Sequence, residues 1–273
     1  MRVLQFYNEN KIYLGILDGQ NVLPLKFTGD MVDFISNQPE TVDVGDPIPL
    51  DDIKFASPVT RPSKIICVGL NYLDHIKEGN AEVPDTPVLF SKFSTSLTGH
   101  HNFIKWNKNL TEKVDFEAEL AVIIGRKCFD CPEQNIMEFI FGYTCANDVS
   151  ARDLQFGDGQ WVRGKSLDTF CPLGPWIVTK DEIPDPCRLK IKCTLNSEIM
   201  QDSNTNMMLF KLPELLSFIS KNFTLLPGDV ILTGTPHGVG TFREPSIFMQ
   251  DGDRISVEIE NIGKLVNTCK TNV

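Results

Sequence analysis

Apolar positions along this chain fall mostly into short runs bounded by turn residues, a pattern of strands more than of helices. "RVLQFYN" and "KIYLGIL" flank the polar "NENK" and predict a β-hairpin at the N-terminus. Asp30 stands where it would cap a short helix, "MVDFISNQ". "DVGDPIPLDD" is polar and proline-bearing, which places a boundary near residue 57 between a small N-terminal unit (1–57) and the rest (58–273). Beyond it, "KIICVG", "PVLFSKF", "FEAELAVIIG", "GYTCANDVS" and "GDVILTGTP" predict strands. "LKIKCTLNSEIM" and "RISVEIENIGKLVNT" predict hairpins, the second turning at Asn261 to Gly263. Helices are expected in "NYLDHIKEG", closed by Gly79, in "CPEQNIMEFIFG", with Pro132 near its start, and in the amphipathic "LPELLSFISKNF". Strands dominate without a regular βαβ alternation. A mixed, β-dominated α+β fold, a roll or sandwich with peripheral helices, fits better than a doubly wound sheet.

One strand breaks the simple pattern. In "VDFEAELAVIIG", alternation puts Phe116, Ala118, Leu120, Val122 and Ile124 on one apolar face. Glu117 and Glu119 share the other face, followed by Ala121 and Ile123. Two carboxylates roughly 7 Å apart at the backbone repel unless something positive lies between them. A divalent cation with a taste for oxygen ligands is one remedy; a solvated face paired with Lys or Arg of a neighbouring strand is the other. Asp115 projects to the same side and is a rival ligand. Asp148, at the end of "CANDVS", is a third candidate acid, although an Asp at a turn is more often a cap.

His75 and Glu78 are three apart in "GLNYLDHIKEG" and meet on one face of a helix, where the carboxylate orients the imidazole as a general base. Asp74 is the rival partner for that imidazole. His100 and His101 are adjacent, and adjacent side chains of an extended chain point apart, so they make a poor metal pair. Lys165 precedes an apolar, proline-bearing run and is placed to steady an oxyanion or, more plainly, to lie at the surface. The glycines and threonines of "LTGTPHGVG" offer backbone N–H groups that suit an anion.

Composition changes this picture little. The formal net charge is −10, which speaks against a nucleic-acid binder. The N-terminus turns polar after seven residues, and no apolar run reaches the roughly 20 residues of a membrane span, so neither secretion nor membrane insertion is expected and a cytoplasmic location is. The eight cysteines include a lone CxxC, Cys128 and Cys131, with no second pair to complete a zinc site; all eight are expected to be reduced. There is no GxGxxG after a strand, no phosphate-binding Walker loop and no GxSxG elbow.

Five stretches in order, "VGLNYLDHIKE", "EAELAVIIG", "NDVSARDLQ", "GKSLDTFCPLGP" and "PGDVILTGTPHGVG", resemble the fumarylacetoacetate hydrolase family from about Lys64 to the C-terminus. The resemblance implies a mixed β-roll, a homodimer and a Mg²⁺ or Mn²⁺ site, with Ca²⁺ a third candidate, on Glu117, Glu119 and Asp148. It implies catalysis by His75, Glu78 and Lys165, and substrate contacts from Arg152, Gln155 and Thr235. It implies hydrolysis of a C–C bond in a β-diketo acid such as an acylpyruvate. Oxaloacetate decarboxylation, or isomerisation or hydration of a 2-oxo-enol acid, is the alternative on the same metal. A non-catalytic metal-binding scaffold is the reading outside catalysis. Many relatives carry Arg where this chain has Leu70, which removes one possible carboxylate contact.

Overall fold

The structure is a computed structural model and describes residues 1–9 and 11–272. Asn10, in the expected N-terminal turn, and Val273 lie outside the described residues. The hairpin itself forms, with Arg2–Asn8 antiparallel to Lys11–Asp18.

The largest sheet runs, edge to edge, through Ile48–Pro49, Asn21–Pro24, Lys11–Asp18, Arg2–Asn8 and Cys171–Thr179. It continues through Ile140–Asn147, Ala118–Ile124, Val230–Leu232, Ile65–Gly69 and Val88–Lys92. The N-terminal strands are joined to it by pairs such as Val3 with Ile177. A second sheet orders Glu198–Asn204, Lys190–Leu195, Arg254–Ile259, Gly263–Thr271 and Phe103–Trp106. This is the β-dominated mixed fold that the short apolar runs predict.

The Ala118–Ile124 strand is buried on both sides, and its alternation sorts the two cores. Ala118, Leu120, Val122 and Ile124 pack with Ile191, Val257 and Leu265 of the second sheet and with Leu212, Leu215 and Ile219 of the Leu212–Asn222 helix. Ala121 and Ile123 face the opposite core, with Met31, Phe34 and Ile35 of the Met31–Asn37 helix and with Val3 and Leu14. A strand buried on both faces has no room for charge unless that charge is matched, so Glu117 and Glu119 at its N-terminal end mark where the sheet opens into something else.

Local expectations hold at Asp30, whose carboxylate accepts from the Val32 and Asp33 amides. They hold also in the hairpin across Asn261 to Gly263. The "CPEQNIMEFIFG" stretch departs from expectation. Its helix covers only Glu133–Ile136, tightens to a 3₁₀ turn over Met137–Phe139, and becomes strand at Ile140. The β-branched and aromatic residues "FIFGY" fit a pleated surface better than a helix and end it early. No described helix is long and apolar enough to cross a membrane.

Candidate active site

Two short segments carry the acids. Glu119 is the second residue of the central strand, Glu117 immediately precedes that strand, and Asp148 follows the neighbouring Ile140–Asn147 strand, whose Asn147 pairs with Ala118. Antiparallel pairing therefore brings Asp148 to the two glutamates. One oxygen from each of the three carboxylates lies within 4.8 Å of the others, and all three residues are buried. Asn147 Oδ1 accepts from the Glu117 amide at 2.9 Å and fixes the backbone where strand ends.

Cations interleave with these acids. Lys165 Nζ donates to Glu117 Oε2 at 2.8 Å and to Asp148 Oδ2 at 2.7 Å. Lys92 Nζ donates to Asp148 Oδ1 and to the Val149 carbonyl. Arg152 Nε reaches Asp115 Oδ2 at 2.8 Å, and its Nη1 reaches Glu117 Oε1 at 2.7 Å and Gln155 Oε1 at 2.9 Å. Arg152 Nη2 is buried with no partner. The short helices Arg152–Gly157 and Val162–Lys165 approach closely because residue 164 is glycine; a Cβ there would stand 2.6 Å from the Gln155 amide nitrogen. That approach sets Lys165 beside the carboxylates.

The electrostatics of the two glutamates diverge. Burial would raise the pKa of Glu117, but Lys165 and Arg152 outweigh it and hold the carboxyl well below its usual range. Burial, together with Asp148 and Glu117, pushes Glu119 well above the usual range. Among the described residues no cation pairs with Glu119; its Oε2 accepts only from the Gly234 amide, at 2.7 Å. Burial alone would lower Lys165, yet Asp148 and Glu117 keep its pKa raised, so it stays an ammonium. Three cations, Lys92, Arg152 and Lys165, face four carboxylates, Asp115, Glu117, Glu119 and Asp148. One buried carboxyl, Glu119, is left without a counter-cation, and the potential metal donors around it are carboxylate oxygens. That donor set suits a hard divalent cation, so Glu117, Glu119 and Asp148 are able to hold one. Asp115, the rival ligand on the same strand, is committed elsewhere: besides Arg152 it accepts from the amides of Gly240 and Thr241.

The Leu73–Glu78 helix supplies the imidazole. With its proton on Nδ1, His75 donates to Glu78 Oε2 at 3.3 Å. Asp74 is not its partner. One Asp74 oxygen accepts from the His75 amide, and the other accepts from Ser203 Oγ and His237 Nδ1 at 2.7 and 3.0 Å. His100 and His101 lie away from the acids, their rings 3.8 Å apart against Phe55. Burial, with His101 beside it, lowers the pKa of His100 to about 3.

The glycine-rich stretch after Val230–Leu232 does hold anions, and they are the chain's own. Its amides serve Glu119 from Gly234, Glu78 from Gly238, and Asp115 from Gly240 and Thr241. Thr235 Oγ1 donates to the Ala118 carbonyl and accepts from Gln201 Nε2, both at 2.9 Å. One loop thus fixes a candidate ligand, the partner of the imidazole and the partner of the arginine.

These groups border a cavity of about 110 Å³. His75, Glu117, Glu119, Arg152, Gln155, Lys165 and Thr235 line it, with Val68, Leu70, Phe90, Trp161 and Phe242 supplying apolar wall. Of the nine residues that the resemblance assigns, seven border this space, and Glu78 and Asp148 stand one contact behind it, on His75 and Lys165; His100 and His101 lie elsewhere, against Phe55. Lys92 was not singled out. Its signal is a lysine on the same face of "PVLFSKF" as Val88 and Phe90, an inward position for a charge. Phe90, Trp161 and Phe242 had none beyond being aromatic.

Replacing Lys92 by methionine removes one partner of a fully buried pair. Urea unfolding should then show a loss of about 3–5 kcal/mol.

The chain belongs to the fumarylacetoacetate hydrolase family: the model for "Fumarylacetoacetate (FAA) hydrolase C-terminal" matches residues 64–270. Over 221 residues it is 51% identical to the rat (Rattus norvegicus) protein named "Oxaloacetate tautomerase Fahd2a, mitochondrial", covering 81% of this chain and 70% of that one. Among solved structures it is similar to a fumarylacetoacetate hydrolase from Exiguobacterium antarcticum, with a TM-score of 0.91, 38% identity and both chains fully covered. It is also similar to a structure titled 2-hydroxyhepta-2,4-diene-1,7-dioate isomerase from Mycobacterium marinum, with a TM-score of 0.83, 36% identity and coverage of 100% and 99%. The expected family and fold therefore stand. The family is one of enzymes on small molecules, and its named relatives include a tautomerase and an isomerase beside a hydrolase.

Proposed function

We propose that this chain is a divalent-metal-dependent enzyme that moves a proton on a small 2-oxo dicarboxylate, and that its reaction is keto–enol interconversion of oxaloacetate. The carrying observation is the single cavity to which His75, Glu117, Glu119, Arg152 and Lys165 all come. The name of the rat relative supports the substrate, and the isomerase title supports the reaction type.

Glu117, Glu119 and Asp148 would hold the ion, Mg²⁺ or Mn²⁺ by the all-oxygen donor set, which when bound supplies Lewis-acid polarisation of the 2-oxo acid. Arg152, through its unpartnered Nη2–H, binds a substrate carboxylate, and Gln155 holds the guanidinium in plane. Thr235 borders the cavity and completes the polar wall. His75, oriented by Glu78, takes a proton from C3. The C–H electron pair becomes the C2–C3 double bond, and the carbonyl π pair moves onto oxygen. Lys165, held as an ammonium, donates a hydrogen bond to that oxygen, and the enol forms when a proton crosses it. The reverse sequence returns the keto acid.

Hydrolysis of a β-diketo acid, the expectation from the resemblance, would use the same imidazole to activate water. The name of the rat relative argues for the smaller substrate. The resemblance also supports a homodimer, and the family match beginning at residue 64 is in keeping with a small N-terminal unit ending near residue 57.

Product analysis separates the reactions. With oxaloacetate, Mn²⁺ and D₂O, NMR should show exchange at C3 faster than in buffer with no matching release of pyruvate. Pyruvate and CO₂ formed as fast as exchange would mean decarboxylation instead. Cleavage of acylpyruvates with no acceleration on oxaloacetate would return the reaction to hydrolysis.

A further inference from the structure

We infer that Trp161 sets the length of the acid this site accepts, its indole closing off a groove that would otherwise take a longer, uncharged acyl tail. The inference rests on reading the cavity as a 2-oxo acid site and adds its substrate range.

Two residues, Phe90 and Trp161, border both the 110 Å³ cavity and a separate surface groove of about 330 Å³. Their rings meet edge to face, with centroids 5.3 Å apart, and form the partition between the two spaces. Phe90 is fixed within the Val88–Lys92 strand. Trp161 lies outside strand and helix, at the entry to the Val162–Lys165 helix. Its ring rests on bare backbone: a Cβ on Gly69 would stand 2.7 Å from Trp161 Cζ3. The indole thus occupies space that any side chain at position 69 would deny it.

Removing the indole should join the two spaces without moving the machinery. Trp161 touches Lys165 through its backbone, the carbonyl accepting from the Lys165 amide at 3.0 Å, and that bond survives a change of side chain. The preceding loop stands clear of the core, since a Cβ on Gly157 or Gly159 would meet nothing within 4 Å. The groove's other lining residues include Val88, Leu89, Ser91, Gln160 and Val162, and no charged side chain is among them. A tail that enters it is therefore uncharged. A second carboxylate has its cations inside the cavity, at Arg152 and Lys165.

The test is calorimetric binding of oxamate and N-alkyl oxamates of increasing length, unreactive 2-oxo acid analogues, to Mn²⁺-loaded wild type and to Trp161→Ala and Trp161→Leu. Wild type should bind oxamate and lose affinity as the tail grows. In Trp161→Ala the preference for the long over the short ligand should rise at least about tenfold, as expected when a pocket gains room for several methylenes. The milder Trp161→Leu should fall between and covers any folding defect of the alanine variant. The ratio is read because oxamate itself loses contacts with the indole. Oxamate binding with an unchanged length preference in the folded variant would overturn the assignment of Trp161 alone. Failure of wild type to bind any oxamate would overturn the 2-oxo acid reading and this inference with it.

Discussion

His75→Ala is expected to lower kcat for keto–enol interconversion of oxaloacetate by about 10²–10⁴-fold, the usual contribution of a positioned general base, with Mn²⁺ affinity unchanged. The imidazole is the one cavity-lining base with a carboxylate dedicated to it. Glu78 is itself held by the Gly238 amide at 2.8 Å, so removing the ring leaves its orienting partner in place. The loss should appear in kcat rather than in KM, because the base acts on the proton in flight and contributes little to ground-state binding. Steady-state kinetics with metal held saturating decides the matter. A rate within a few-fold of wild type would remove His75 from the chemistry.

Glu119→Gln should weaken Mn²⁺ binding at least about 100-fold, more than the 10–100-fold typical of residues one contact removed from a metal. Activity should fall with it. Stability of the metal-free protein should move the other way and lie at or above wild type. Glu119 is the buried carboxylate without a cation, and its raised pKa shows that the fold disfavours its charge. Glutamine keeps the side chain's shape and its acceptor for the Gly234 amide while discarding that charge. Stability given up at a site that gains function is a familiar trade. Calorimetric titration and urea unfolding on the same preparation test both halves. Unchanged metal affinity would take Glu119 out of the ligand set.

Much of this site is legible along the chain because its parts obey local periods. Alternation through residues 114–125 separates the glutamates from the core face, and both faces are used as it implies, one by each hydrophobic core. Helical spacing brings His75 to Glu78. What local periods do not carry is pairing across distance. Lys92 meets Asp148 from 56 residues away, and Gly238 meets Glu78 from 160 away. The glycine-rich stretch shows the difference well. Its composition announces anion-holding amides, but only the folded chain shows that the anions are Glu78, Asp115 and Glu119. The early end of the helix at Ile136 has the same origin, since the strand that follows is required by its neighbours in the sheet. The apolar wall was the least legible part, because an aromatic side chain beside a cavity looks in sequence like one within a core.

The central claim is that one buried carboxylate cluster and one imidazole catalyse proton transfer on a 2-oxo acid through a divalent ion. The most direct measurement is the initial rate of oxaloacetate keto–enol interconversion by chelator-stripped wild-type protein titrated with Mn²⁺. The rate should start at the solvent background, rise to saturation at about one ion per chain, and return to background when chelator is restored. Acceleration that persists undiminished in excess chelator, or none at any Mn²⁺ concentration, would contradict it.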